Sequence, residues 1–287
     1  MSSIVTLKNN DLTVTVSTMG AELQSVTGKD GHEYLWCGDA AVWAGRAPIM
    51  FPICGGLKDN KYIYDGKEYT LTIKHGFAKV SEFEVVEADA LHAVFRLCSN
   101  EETKKVYPFD FNFDVAYTLT RNSLLVEYRV ENTGNKTLYC AVGGHEAYAT
   151  PEGIEEYKIV FDENQTLDAN IIDGGISREQ KRVLEGSREL ALKYDYFTVD
   201  ALVFLDTKFK AVELVGKDNA HTVKVEFDGI NNMMLWTKVG AKYICIEPWD
   251  GMGDFNDTKG ILEEKDYIQT CDAGKQYSRR HTITFGK

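Results

Sequence analysis

Three ionisable side chains sit in places where an ordinary strand or turn has little use for them. Glu247 falls inside "YICIEPWDG", between a β-forming apolar run and Pro248-Trp249, where the flanking Ile246 and Trp249 would desolvate a carboxylate and raise its pKa. His145 follows Gly143-Gly144 in "VGGHEAYA", and His75 precedes Gly76-Phe77 in "IKHGFAKV". Glycine lets a backbone approach closely or take a positive φ, so Gly-His pairs at strand ends can present an imidazole to a cleft. A histidine with an unperturbed pKa of ~6.5 and a desolvated glutamate form an acid and base pair that needs no metal and no cofactor. Trp249 adds a flat apolar face that suits a sugar ring as well as a core partner. His32, His92, His221 and His281 are expected in turns or on polar strand faces.

The chain offers no Gly-rich phosphate loop, dinucleotide fingerprint or G-x-S-x-G elbow. Proton transfer on a small polar substrate is the chemistry that survives. The six cysteines form no C-x-x-C pair and no Cys/His cluster at metal-ligand spacing, and are expected as buried reduced thiols.

The elements that position these residues alternate with period two. In "NSLLVEYRVENTG", Leu124, Val126, Tyr128 and Val130 share one face and Glu127, Arg129 and Glu131 the other; "FNFDVAYTLT" repeats the pattern with Phe111, Phe113, Val115 and Tyr117. Turn signals at Lys29-Asp30-Gly31, Tyr64-Asp65-Gly66-Lys67, Asn132-Thr133-Gly134-Asn135 and Asp228-Gly229 suggest a succession of hairpins. "SREQKRVLEG" reads as a short helix. The expected fold is all-β, a large antiparallel two-sheet β-sandwich with few short helices, and no linker or repeat divides residues 1–287 into more than a single domain.

With 287 residues, 44% hydrophobic and 26% charged, the chain has material for a sizeable core. Its net charge of −12 disfavours nucleic acid as a partner. No secretory leader and no run of ~20 apolar residues points to a membrane, so a cytoplasmic location is expected. Open sheet edges permit a monomer or a homodimer.

The motifs "MGAELQSV", "APIMFPICGGL", "HGFAKV", "VENTG", "GGHEAY" and "CIEPWDGMGD", in this order, resemble the aldose 1-epimerase (galactose mutarotase-like) family and its LacX-like branch. The resemblance implies interconversion of the α and β anomers of an aldose, without cofactor or metal. On the matching positions it implies Glu247 as the general base at the C1 hydroxyl, His145 as the acid at the ring oxygen, and His75 as support for the charge there. Asp200, Trp249, Arg46 and Lys79 are then the expected sugar-binding residues, with Glu247 and His145 on opposite sides of one cleft. Departures stand out: Gly56 and Lys79 where arginine is common, Glu146 where proline is usual, and Asp59-Asn60 in place of an Asn-Arg pair. A hexose-6-phosphate 1-epimerase, with Arg46, Lys58 and Lys79 converging on the phosphate, and a non-catalytic carbohydrate-binding or sensing protein are the alternatives.

Overall fold

The computed structural model describes residues 2–217 and 219–286. Among these, fifteen strands join in one continuous hydrogen-bonded sheet whose named pairings are all antiparallel. The sheet bends round on itself and forms both layers of the sandwich. One layer carries Ile49–Met50, Val142–Gly144, Tyr243–Asp250, Asn232–Trp236 and Leu202–Phe204; the other runs from Val223–Asp228 through Gln276–Phe285, Ser123–Asn132 and Phe111–Thr120 to Glu84–Ala88. The long strand Tyr157–Ile172 joins them. Its first residues pair with Ala211–Gly216, and Asn170 near its end pairs with Val203.

The alternation read in the sequence is what closes the layers together. Leu124, Val126, Tyr128 and Val130 are fully buried, as are Phe113, Val115 and Tyr117, and burial of each such side chain stabilises by roughly 1.5–3 kcal/mol. Phe51, just after the strand Ile49–Met50, stacks on Phe113 of the opposite layer with ring centroids 4.3 Å apart. A three-stranded sheet, Ile4–Lys8, Leu12–Ser17 and Leu23–Gly28, packs alongside, tied by the Tyr117 hydroxyl donating to the Ala21 carbonyl at 2.7 Å.

Several local expectations are corrected. "SREQKRVLEG" is no helix: it lies in the strand Ile176–Ala191, paired along Tyr157–Ile172 with Asp168 directly opposite Arg182. Good helix formers are overridden here by an available ladder and cross-strand ion pairs. The one α-helix among the described residues is Glu101–Val106, where the Asn100 side chain accepts from the backbone N–H of Glu102 and Thr103 and Thr103 Oγ1 accepts from the Asn100 N–H. Tyr64-Asp65-Gly66-Lys67 does close a tight hairpin. Asp228-Gly229 does not: the strands on either side belong to different layers. Nor does Asn132-Thr133-Gly134-Asn135, which leads into Leu138–Cys140, a partner of Gln269–Cys271. Four cysteines are buried, but Cys37 and Cys98 are exposed. No described helix is long and apolar enough to cross a membrane.

Candidate active site

The strand Tyr243–Asp250 is buried along its whole length and runs through Glu247 and Pro248 to Asp250. It is flanked on one side by Asn232–Trp236, with Met234 opposite Glu247. On the other side two short strands pair with it, Gly143 with Trp249 and Ala147 with Cys245. Continuing that register across the gap sets His145 opposite Glu247. The His145 Nε2 lies 3.4 Å from Glu247 Oε2, longer than a formed hydrogen bond and typical of a catalytic pair before substrate arrives. The two are therefore side by side on one wall, not on opposite sides of the cleft as expected.

The second glycine before His145 has a steric reason. A Cβ on Gly144 would stand 2.4 Å from the Glu146 carboxylate, which folds back beneath it. His75 adopts φ 69° and Gly76 φ 75°, and a Cβ at residue 76 would come within 2.2 Å of the Phe51 carbonyl oxygen. That sharp turn brings the His75 ring edge-on to both His145 and Trp249, with centroids 5.3 Å apart in each case. His75 Nδ1 accepts the Gly55 N–H at 3.1 Å, so the proton of the neutral ring sits on Nε2. His75 is then a hydrogen-bond donor.

These side chains line a cleft of about 720 Å³ together with Trp43, Lys74, Lys79, Asp200, Trp236 and Trp249, within the usual size range of small-molecule sites. Burial, reinforced by the nearby His145, lowers the His75 pKa well below its usual value. Burial likewise lowers His145, to about 3, with Lys74 and Lys79 adding to the effect. For Glu247 burial acts in the opposite sense and pushes the pKa well above the carboxylate range; Lys74 and the Trp249 indole N–H, which donates to Oε2 at 3.1 Å, pull it back. The direction common to both partners is that one proton is shared by a net-neutral pair.

The other expected residues divide. Asp200 reaches the cleft, with its Oδ2 3.8 Å from Lys74 Nζ, and Lys79 lines it half-buried. Arg46 does not line it: its guanidinium donates to the Gln24 carbonyl and its backbone N–H to Glu22. Lys74 takes the place the sequence reading gave to Arg46. Trp43 and Trp236, which the sequence reading missed, box the His145 ring at centroid distances of 5.2 and 5.6 Å. Trp236 stands two residues beyond Met234 and so shares the face of its register partner Glu247, a pairing no local stretch of sequence states.

His281 is a further correction. It is not on a polar face but fully buried, with Nε2 3.1 Å from Glu146 Oε1. Cys245, His145 and Glu247 are the described residues whose ligand atoms come within 4.8 Å of one another. Burial holds the Cys245 thiol well above its usual pKa, a protonated core group rather than a ready thiolate.

The sequence profile of aldose 1-epimerase matches residues 3–279. The chain belongs to the aldose 1-epimerase family. It is 34% identical over 278 residues to the plasmid-encoded protein LacX of Lactococcus lactis subsp. lactis, covering 92% of this chain and 93% of that one. The solved galactose mutarotase related enzyme of Lactobacillus acidophilus superposes with a TM-score of 0.93 at 32% identity, over 99% of this chain and 98% of the other. A galactose mutarotase-like protein of Lactobacillus casei ATCC 334 gives 0.91 at 26% identity, over 99% and 100%.

Proposed function

We propose that this protein, acting as one domain in the cytoplasm, is an aldose 1-epimerase that interconverts the α and β anomers of a neutral aldose with its own side chains alone. The observation that carries this reading is the His145–Glu247 pair, 3.4 Å apart in the wall of a sugar-sized cleft. In a pyranose the C1 hydroxyl oxygen and the ring oxygen are both bonded to C1. A base for one and an acid for the other can then be neighbours, so side-by-side placement is compatible with the chemistry.

From the form of the neutral pair in which the shared proton lies on His145, Glu247 takes the proton of the C1 hydroxyl, the bond from C1 to the ring oxygen breaks, and His145 gives that oxygen its proton. The product is the open-chain aldehyde. Rotation about C1–C2 and attack of the same oxygen on the other face reverse each transfer and leave the pair as it began. His75 donates from Nε2 to the oxygen on which charge develops, and Trp249 both donates to Glu247 and offers its face to the ring. Paired proton transfer of this kind contributes roughly 10²- to 10⁴-fold.

Charge speaks for a neutral sugar. Lys74 and Lys79 share the cleft with Glu22, Asp200 and Glu247, and no arginine is among its described lining residues. Phosphate recognition favours arginine forks, and the trio Arg46, Lys58 and Lys79 does not converge: Lys58 donates to the Asn256 carbonyl and lines a neighbouring cavity. NMR exchange spectroscopy of α/β interconversion, run with galactose, glucose and their 6-phosphates, tests the reading. Faster exchange of a free hexose than in buffer, lost in Glu247→Gln and His145→Asn, is expected. Rates no faster than buffer with every sugar would leave a binding protein as the better account.

A further inference from the structure

Alternation along Tyr243–Asp250 turns Cys245 to the same face as Glu247. Ala147 pairs with Cys245 and His145 stands across from Glu247, so the sheet gathers a thiol, an imidazole and a carboxylate at one corner although His145 is remote in sequence. Their ligand atoms all lie within 4.8 Å of one another, and all three residues are buried. Cys245 lies just behind the cleft wall, in a cluster with Ala147 and Tyr243 against which Trp43 and Trp236 pack. The Trp249 indole donates to Glu247 Oε2, while Oε1 is a buried acceptor with no hydrogen-bond partner among the described residues.

The spacing suits a metal better than a hydrogen bond. Imidazole nitrogen and carboxylate oxygen at about 2.0–2.1 Å from a tetrahedral zinc stand about 3.3 Å apart, and a thiolate at about 2.3 Å stands about 3.6 Å from each. His145 Nε2 and Glu247 Oε2 are already 3.4 Å apart. The sulfur has at most about 1.2 Å to close, which is small beside the swing of a thiol between rotamers.

Charge and donor type agree. A thiolate and a carboxylate with a neutral imidazole balance a divalent cation, so the filled site brings no net charge into a buried place. Sulfur and imidazole suit zinc, whereas magnesium and calcium take oxygen ligands. Three protein ligands leave the fourth position open to the cleft, unlike the closed set of a structural zinc. The Trp249 N–H already orients the carboxylate, as ligating carboxylates are usually held.

We propose that Cys245, His145 and Glu247 form an inhibitory zinc site: an ion entering the cleft takes both proton-transfer groups at once and stops anomer exchange. The S–H bond of Cys245 breaks as sulfur joins the metal, and its proton and the one shared by His145 and Glu247 leave to solvent. Cys245 has no part in the reaction itself. The inhibition rests on the epimerase reading above; the binding does not.

The test uses a Cys37→Ser, Cys98→Ser parent, which lacks the two exposed thiols. Anomer exchange of galactose and glucose is followed by NMR as Zn²⁺ is added, with Mg²⁺ as the control. Zinc should stop exchange, a chelator should restore it, and magnesium should leave it unchanged. Adding Cys245→Ala or Cys245→Val should leave the exchange without metal intact and raise the zinc concentration for half-inhibition by about tenfold or more. Titration with Co²⁺ should give a thiolate-to-cobalt charge-transfer band that either Cys245 variant loses. Should neither variant fold, Glu247→Gln replaces them, with a weakened band expected and an unchanged one overturning the site. Exchange that zinc leaves alone or speeds, inhibition equally strong in a folded Cys245 variant, or no cobalt band overturns the proposal. Should the parent exchange neither sugar faster than buffer, the epimerase reading fails and the cobalt titration alone decides the site: a band lost with Cys245 supports it, and no band overturns it.

Discussion

Replacing Glu247 by glutamine should raise the stability of the protein while it abolishes catalysis, and the stability effect should grow with pH. The unfolded chain releases the Glu247 proton near 4.5, whereas burial makes the folded chain hold it to a pH well above that. Across the interval the folded state binds one proton more than the unfolded state. Wild-type stability therefore falls with rising pH, by about 1.4 kcal/mol per unit from this group, and the loss is complete once pH passes the raised folded pKa. Glutamine keeps the shape and does not titrate.

His145 has the opposite sign. Its folded pKa of about 3 lies below the unfolded value of 6.5, so it adds stability as pH rises through that window. Between about 4.5 and 6.5 the two partners offset each other: the unfolded chain carries the proton on the imidazole, the folded chain on the carboxyl. In Glu247→Gln the histidine is left uncompensated, yet it titrates alike in both unfolded chains. The difference in unfolding free energy, variant minus wild type, should thus climb as pH rises above 5, for as long as the folded chain still holds the Glu247 proton. Urea unfolding at pH 5, 6, 7 and 8, with unchanged m-values, measures it. A difference that stays flat or falls with pH would show Glu247 ionised in the resting site and refute the shared-proton argument.

Two further outcomes follow from the same geometry. Because the pair works with one shared proton, kcat/KM should have its acid limb near the His145 value of about 3; a bend near 6.5 would mean an ordinary exposed histidine carries the acid step. At the buried Glu146–His281 contact, Glu146→Leu strips His281 Nε2 of its carboxylate partner and should cost about 1–3 kcal/mol. Glu146→Leu with His281→Leu should regain most of that in thermal melts, since an apolar pair leaves nothing unsatisfied.

The layers of this fold were legible because alternation states which residues face inward, and Leu124 to Val130 needed nothing more. Pairing partners were not legible. The misread helix at Ser177–Gly186 and the false hairpin at Asp228-Gly229 both depended on which distant strand was available, a fact no local window contains. Arg46 failed for the same reason: its motif is near the site in sequence, but its guanidinium satisfies the Gln24 carbonyl instead.

Glu146 shows how much a local rule can yield once one neighbour is placed. Successive residues of a strand point to opposite faces, so if His145 enters the cleft, residue 146 must enter the space between the layers. A carboxylate there requires a buried partner, and on the facing strand the alternation of Gln276–Phe285 puts His281 among the inward residues with Ile283 and Phe285. With that facing strand placed, the pair follows from "GGHEAY" and "HTITF" together. The same reasoning links the two ends of this short segment: one residue presents to the cleft the imidazole proposed as the acid, and the next ties that segment to the opposite layer, where its charge also acts on Glu247 to raise its pKa.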